Sequence, residues 1–107
     1  IGDAGLDALA SACASGALPK LETLNLDNNS IGDVGCNALA TKAVGSGALP
    51  KLTVLVLETN EIGDAGLAAL ADSLGRGALA SLNELFVDNS EHPALKAACQ
   101  ARGISEI

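Results

Sequence analysis

Aromatic side chains are all but missing from this sequence. Of 107 residues one is aromatic, Phe86, and tryptophan, tyrosine and methionine are absent. A core with none of those shapes must be filled by Leu, Ile, Val and Ala, which suit uniform stacked slots better than an irregular interlocking interior. Basic residues are scarce too, six against 13 acidic ones, for a formal net charge of −7. Such a balance repels phosphate backbones and anionic lipid surfaces, so nucleic acid and membrane partners are not expected. There is no apolar run of the roughly 18 residues that a membrane span requires, and no signal-peptide pattern precedes Ile1. The three cysteines, Cys13, Cys36 and Cys99, have no C-x-x-C spacing. They are read as free core thiols, which places the chain in the cytoplasm or another reducing compartment.

Catalytic and ligand-binding chemistry is equally thin. His92 is the only histidine, and beside Pro93 it reads as a polar residue at a helix start, so no Ser/His/Asp or Cys/His set can be assembled without it. Isolated thiols make no metal site. The pieces Gly45-Ser46-Gly47 and Gly75-Arg76-Gly77 lack the lysine and the strand-to-helix setting of a phosphate cradle, and read as connectors. Asp27 to Asp33 glances at a calcium loop, but Ile31 stands where an oxygen ligand is needed. Asn28-Asn29-Ser30 is formally a glycosylation acceptor, yet it lies at a structural turn and the reducing compartment argues against its use. The expectation is a protein that is not an enzyme and carries no cofactor.

What the sequence does hold is a repeat. Leu21-x-x-Leu24-x-Leu26-x-x-Asn29-x-Ile31 returns as Leu52-x-x-Leu55-x-Leu57-x-x-Asn60-x-Ile62, and again as Leu82-x-x-Leu85-x-Val87-x-x-Ser90, at offsets of 31 and 30 residues. Repeats of this period mean a solenoid, each unit burying its apolar face against the next. The pattern resembles the leucine-rich repeat family, and the flanking Ile-Gly-Asp-x-Gly and Ala-Leu-Ala segments are similar to its ribonuclease-inhibitor-like subclass. The fold expected is a right-handed parallel α/β solenoid over residues 1–107. Its repeat units are 1–30, 31–61 and 62–91, and a C-terminal capping helix lies within 92–107.

Within the first unit a helix is expected from Asp3 to Ser15, with Asp3 as its N-cap and Gly16 as its stop. Leu6, Leu9, Ala10 and Cys13 share one face. Leu18 should turn inward from the connector, and a short strand should follow near 22–26, with Leu24 and Leu26 inward and Thr23 and Asn25 outward. Because each strand is followed by a helical crossover, consecutive strands should run parallel. The slots of Ile1, Leu6, Leu9, Ala10 and Cys13 recur as Ile31, Cys36, Leu39, Ala40 and Ala43, and as Ile62, Leu67, Leu70, Ala71 and Leu74. The extra residue of the second unit, somewhere in 43–47, should bulge on the convex side. Asn29 and Asn60 should be structural, their amides serving backbone groups that leave the sheet. In the terminal helix, from Ala94 to Arg102, Leu95, Ala98 and Cys99 form the apolar stripe and Lys96 and Arg102 the wet side. Gly103 ends it and Ile104 folds back on it.

A surface is the remaining candidate for function. The resemblance implies that the outward strand residues line a concave face that binds proteins. Here these are Glu22, Thr23, Asn25, Asp27 and Asn28, then Thr53, Val54, Val56, Glu58 and Thr59, then Asn83, Glu84, Phe86, Asp88 and Asn89. Asp27, Glu58 and Asp88 would stack as an acidic column at a spacing of about 4.8 Å, which a basic protein partner would relieve. Asn25, Val56 and Phe86 would grade from polar to aromatic beside it. Two alternatives stand. The acids are a solubility face with Phe86 packed beneath the terminal helix, or the chain is a scaffold piece of a longer solenoid that self-associates through the N-terminal layer, which no cap covers.

Overall fold

A computed structural model describes residues 1–44, 47–89 and 91–106. In it four helix–strand pairs follow one another: α1 (Gly2–Ala14) and β1 (Thr23–Asn25), α2 (Asp33–Ala38) and β2 (Val54–Val56), α3 (Asp64–Gly75) and β3 (Glu84–Phe86), α4 (Pro93–Arg102) and β4 (Ser105–Glu106). The strands form one parallel sheet in the order β1-β2-β3-β4. The helices stack alongside in the same order, α1 on α2, α2 on α3 and α3 on α4. A parallel sheet with a helix between successive strands, repeated at a near-constant period, is an α/β solenoid. The parallel pairing expected from the crossovers is present, while the two-residue β4 was not foreseen.

The core lies between sheet and helices and is built of aliphatic side chains with Cys13, Cys36 and Cys99 among them. Leu55, Leu57, Leu70, Leu74, Leu85 and Leu95 are 0–1% exposed. Strand alternation puts Leu55 and Leu85 into it, and the 3.6-residue period puts Leu67, Leu70, Ala71 and Leu74 on the inner face of α3. Leu18, Leu49 and Leu79 occupy one slot in three successive connectors, all in the left-handed region with φ of 57°, 56° and 51°. Leu49 and Leu79 are 2% and 3% exposed, but Leu18 is 45% exposed. The inward anchor expected at Leu18 is therefore corrected: its turn is made, but among the described residues no layer lies on its outer side. For the same reason Leu9, Leu21 and Leu24 are only partly buried.

The longer second unit absorbs part of its length in the helix. After Ala38 the chain widens into a π-helical stretch, Leu39–Val44, the usual way an inserted residue is taken up inside a helix. Ser73 donates its hydroxyl to the carbonyl of Ala40 within that stretch (3.0 Å). Of the stretch 43–47 expected to bulge on the convex side, Gly45 and Ser46 lie outside the described residues, as do the Ala43 side chain and Ser90.

Two further expectations are overturned at the helix ends. Asp3 does not cap its own helix. The helix begins at Gly2, so Asp3 sits inside the first turn, and its Oδ1 instead accepts from the amides of Gly32 (2.7 Å) and Gly35 (3.0 Å) at the start of α2. Asp33 does the same for Gly63 (2.7 Å) and Gly66 (2.9 Å) at the start of α3. Arg102 is not on the wet side of α4. Its guanidinium donates to the carbonyls of Leu74, Ala78 and Leu79, closing the C-terminal end of α3, whose last carbonyls have no helical partner. Lys96 is exposed and pairs with Glu91 at 3.1 Å. Gly103 does end α4 in the left-handed conformation (φ 70°), and Ile104, 6% exposed, donates back to the carbonyl of Cys99 (2.9 Å).

Candidate functional site

The strand face opposite the helices is built by register. Thr23 pairs with Val54 and Val54 with Glu84, while Asn25 pairs with Val56 and Val56 with Phe86. The ladder extends past the strands at both ends. Thr53 donates to the carbonyl of Glu22 (2.7 Å) and Asn83 to that of Thr53 (2.8 Å); beyond β1, Asn28 donates to the carbonyl of Glu58 (3.1 Å). Glu22, Thr53 and Asn83 therefore form one row, and Asp27, Glu58 and Asp88 another. Glu22, Thr23, Asn25, Asp27, Asn83 and Asp88 are exposed, and Thr53, Val54, Val56, Glu58, Glu84 and Phe86 are half-buried.

Three of them already have backbone partners. Thr53 Oγ1 donates to the carbonyl of Glu22 (3.1 Å). Asn25 Oδ1 accepts from the amide of Asp27 (3.1 Å). Asp88 Oδ1 accepts from Thr59 N (2.9 Å) and its Oδ2 from Asn60 N (3.2 Å). The acidic row thus has two carboxylates, Asp27 and Glu58, with no hydrogen bond or ion pair among the described residues, and a third engaged in holding the preceding turn.

Asn60 shows how these turns are held. Its Oδ1 accepts from Asn29 N and Ile31 N (both 3.0 Å), and its Nδ2 donates to the carbonyls of Leu26, Leu57 and Glu58 at 2.9–3.1 Å. One amide side chain satisfies five backbone groups in two layers. Asn29 makes the shorter version of the same set, with Nδ2 donating to the Asp27 carbonyl (3.0 Å) and Oδ1 accepting from the Ile1 amine (2.6 Å). Thirty residues after Asn60 the slot holds Ser90, and it is Asp88 that receives the Asn60 amide.

His92 caps α4. Its Nδ1 accepts from Leu95 N (3.3 Å) and its Nε2 lies 2.7 Å from Asp64 Oδ1, so the neutral ring carries its proton on Nε2. Pro93 stands where Gly32 and Gly63 stand in the earlier units and has no amide hydrogen to give. The imidazole supplies a donor to Asp64 in its place.

The cysteines are free and buried. Burial, with Asp33 and Asp3 nearby, pushes the Cys36 thiol up to about 12, and burial with Glu106 pushes Cys99 up to about 11. Cys13 is raised by burial. Thiols held so far above neutrality are poor nucleophiles. Among the described residues no group of three or more His, Cys, Asp or Glu side chains is placed to hold a metal ion. No helix among them is long and apolar enough to cross a membrane.

Sequence reasoning missed one part of this face. Lys20 and Lys51 stand one layer apart at the start of the strands, and with Glu22, Thr53 and Ser81 they line an open groove of about 430 Å³. The signal was present as Leu18-Pro19-Lys20 and Leu49-Pro50-Lys51, recurring at the same 31-residue offset.

The leucine-rich repeat family model matches residues 17–40 and 48–71, a connector, strand and helix in each case. These two matches support a leucine-rich repeat protein, and domains of that family generally mediate protein–protein interaction and are typically not enzymes. No curated protein matches the chain.

Proposed function

We propose that the chain is a protein-binding leucine-rich repeat module of the ribonuclease-inhibitor-like type, with three repeats (1–30, 31–61, 62–91) and a C-terminal cap (92–107). Its strand face, centred on Asp27, Glu58, Val56 and Phe86, engages a basic protein. The observation that carries this reading is the pair of carboxylates, Asp27 and Glu58, one layer apart and without a hydrogen bond or ion pair among the described residues. Like charges at that spacing disfavour each other, and a cationic side chain between them relieves the repulsion. Val56 and Phe86 beside them offer half-buried apolar area for a partner to cover.

The test is a pull-down from a cell lysate, followed by titration of the captured protein, with the double variant Asp27→Lys, Glu58→Lys and separately with Phe86→Ala. Asp88 is left in place because it holds the turn at Thr59 and Asn60. Charge reversal should abolish capture without lowering the melting temperature. Capture that survives reversal rejects the acidic end as the site. A fall of several degrees in melting temperature for Phe86→Ala, with binding intact, makes Phe86 a packing residue instead. The buried thiols favour a cytoplasmic or other reducing location, checked by whether an oxidising compartment yields misfolded, cross-linked chain.

The incomplete cover of Leu9, Leu18, Leu21 and Leu24 favours a second reading, a scaffold piece that stacks with another copy through that layer. Light scattering that stays at the monomer mass across concentration removes it.

A further inference from the structure

The six cations of the chain are not used alike. Lys42 pairs with Asp7, Arg76 with Asp72 and Lys96 with Glu91, and Arg102 is taken by three carbonyls. Lys20 and Lys51 form no ion pair among the described residues, although acids outnumber bases 13 to six. Both are exposed, both occupy the same slot of successive layers, and both line one groove. Two ammonium groups at sheet spacing, about 4.8 Å between backbones, repel each other as the two carboxylates at the far end of the strands do. The third position of that column, Ser81, is neutral and donates its hydroxyl to the carbonyl of Pro50 (2.8 Å). The face therefore has a cationic end at Lys20 and Lys51 and an anionic end at Asp27 and Glu58. Six residues, with β1 at their centre, lie between Lys20 and Asp27, a span of at most about 20 Å.

We propose that the Lys20–Lys51 groove docks the acidic end of a protein segment whose basic end lies on Asp27 and Glu58. This rests on the strand-face reading above and adds polarity to it: a partner with uniform charge of either sign is attracted at one end and repelled at the other, while a segment whose charge reverses over about 20 Å is held in one direction and one register. Glu22 lines the same groove and opposes an incoming carboxylate, so its removal should help an acidic ligand.

The probes are a hexa-glutamate peptide, a hexa-lysine peptide and inorganic phosphate. They are titrated against the whole chain while backbone amide shifts are followed, at about 10 mM salt, where the screening length is about 30 Å. Hexa-glutamate should move the amides of Lys20, Lys51 and Thr53, and hexa-lysine those near Asp27 and Glu58. Lys20→Ser with Lys51→Ser should weaken hexa-glutamate about fivefold or more, as expected for two exposed charge contacts at low salt, and leave hexa-lysine within about twofold. Glu22→Gln should strengthen hexa-glutamate. The proposal is overturned if hexa-glutamate leaves those amides unmoved, if the lysine variant weakens both peptides equally, or if phosphate moves the same amides as strongly, which would mark a small-anion site. Loss of the hexa-lysine response alone, with hexa-glutamate bound as expected, strikes the acidic-end reading and with it the two-ended face, so the two failures are told apart.

Discussion

The first and second layers carry nearly the same residues in the same slots and are buried to different degrees. Ile31 is fully buried where Ile1 is 62% exposed; Leu49 is 2% exposed where Leu18 is 45%; Leu55 is 1% exposed where Leu24 is only partly covered. Asn60 serves five backbone groups, and Asn29 serves one backbone carbonyl and the chain's own amine. The motif is one and the same, so burial here is a property of the neighbours and not of the motif. In a solenoid each layer lends half of its neighbours' core, and stability is gained at interfaces between layers.

This contrast can be broken by paired substitutions. The largest separation is expected for Leu55→Ala against Leu24→Ala. The first opens a cavity between two covering layers and should cost about 2–5 kcal/mol; the second should cost less than half as much, read from urea midpoints at constant m-value. Next comes Asn60→Ala, which leaves backbone amides and carbonyls of two layers without partners, at about 1–3 kcal/mol for each group that water cannot reach. Asn29→Ala, at an exposed edge, should cost under about 1 kcal/mol. An equal loss for the two asparagines would contradict the bonding described at Asn60.

Gly66→Ala sharpens the comparison from the helix side. A Cβ there would stand 2.8 Å from Asp33 Oδ1 and 2.8 Å from Ile62 Cγ2, so the carboxylate must leave its amides, for about 1–3 kcal/mol. Gly75→Ala, with nothing within 4 Å of its Cβ, should be neutral or slightly stabilising, because the substitution raises helix propensity. A further effect concerns alkali. Cys36 and Cys99 titrate higher folded than their ordinary value of 9.0, at about 12 and about 11. The unfolded chain therefore loses these protons first, and stability present below pH 9 is lost as pH rises through that window. Cys36→Ala should flatten the decline in a melting-temperature profile from pH 8 to 11; an unchanged slope would assign the decline to other groups.

Much of the fold was legible because it depends on periodicities that a sequence displays. The 31- and 30-residue offsets gave parallel strands, the period of two gave Leu24 and Leu26 inward, and Asn29 and Asn60 were identified by their place at the sheet edge. Less legible was where a polar side chain spends its hydrogen bonds. Asp3 looks like an N-cap from its place before Leu6, and only the stacking shows that the amides it serves lie 29 and 32 residues away, in the next helix. Arg102 looked solvated because helical spacing says nothing of an adjoining helix end that needs donors. Leu18 fits the inward pattern, and its exposure depends on what lies beyond it. Strand alternation singles out Thr23, Asn25, Val54, Val56, Glu84 and Phe86 in the sequence, and the register pairs them across the sheet. The engagement of Asp88 and the unpaired state of Lys20 and Lys51 are outcomes of competition among charges, which no linear pattern records.

The carboxylates of Asp3, Asp33 and Asp64 each reach forward by one layer, to an amide pair, an amide pair and an imidazole. That directionality makes the chain editable in whole units. Excising 31 residues from Gly32 to Ile62 would bring Asp3 against Gly63 and Gly66, the very pair Asp33 serves, and every later bond could close again. Cutting half that length would strand an anion against the wrong turn, and the shortened chain should fail to fold although it has lost fewer residues.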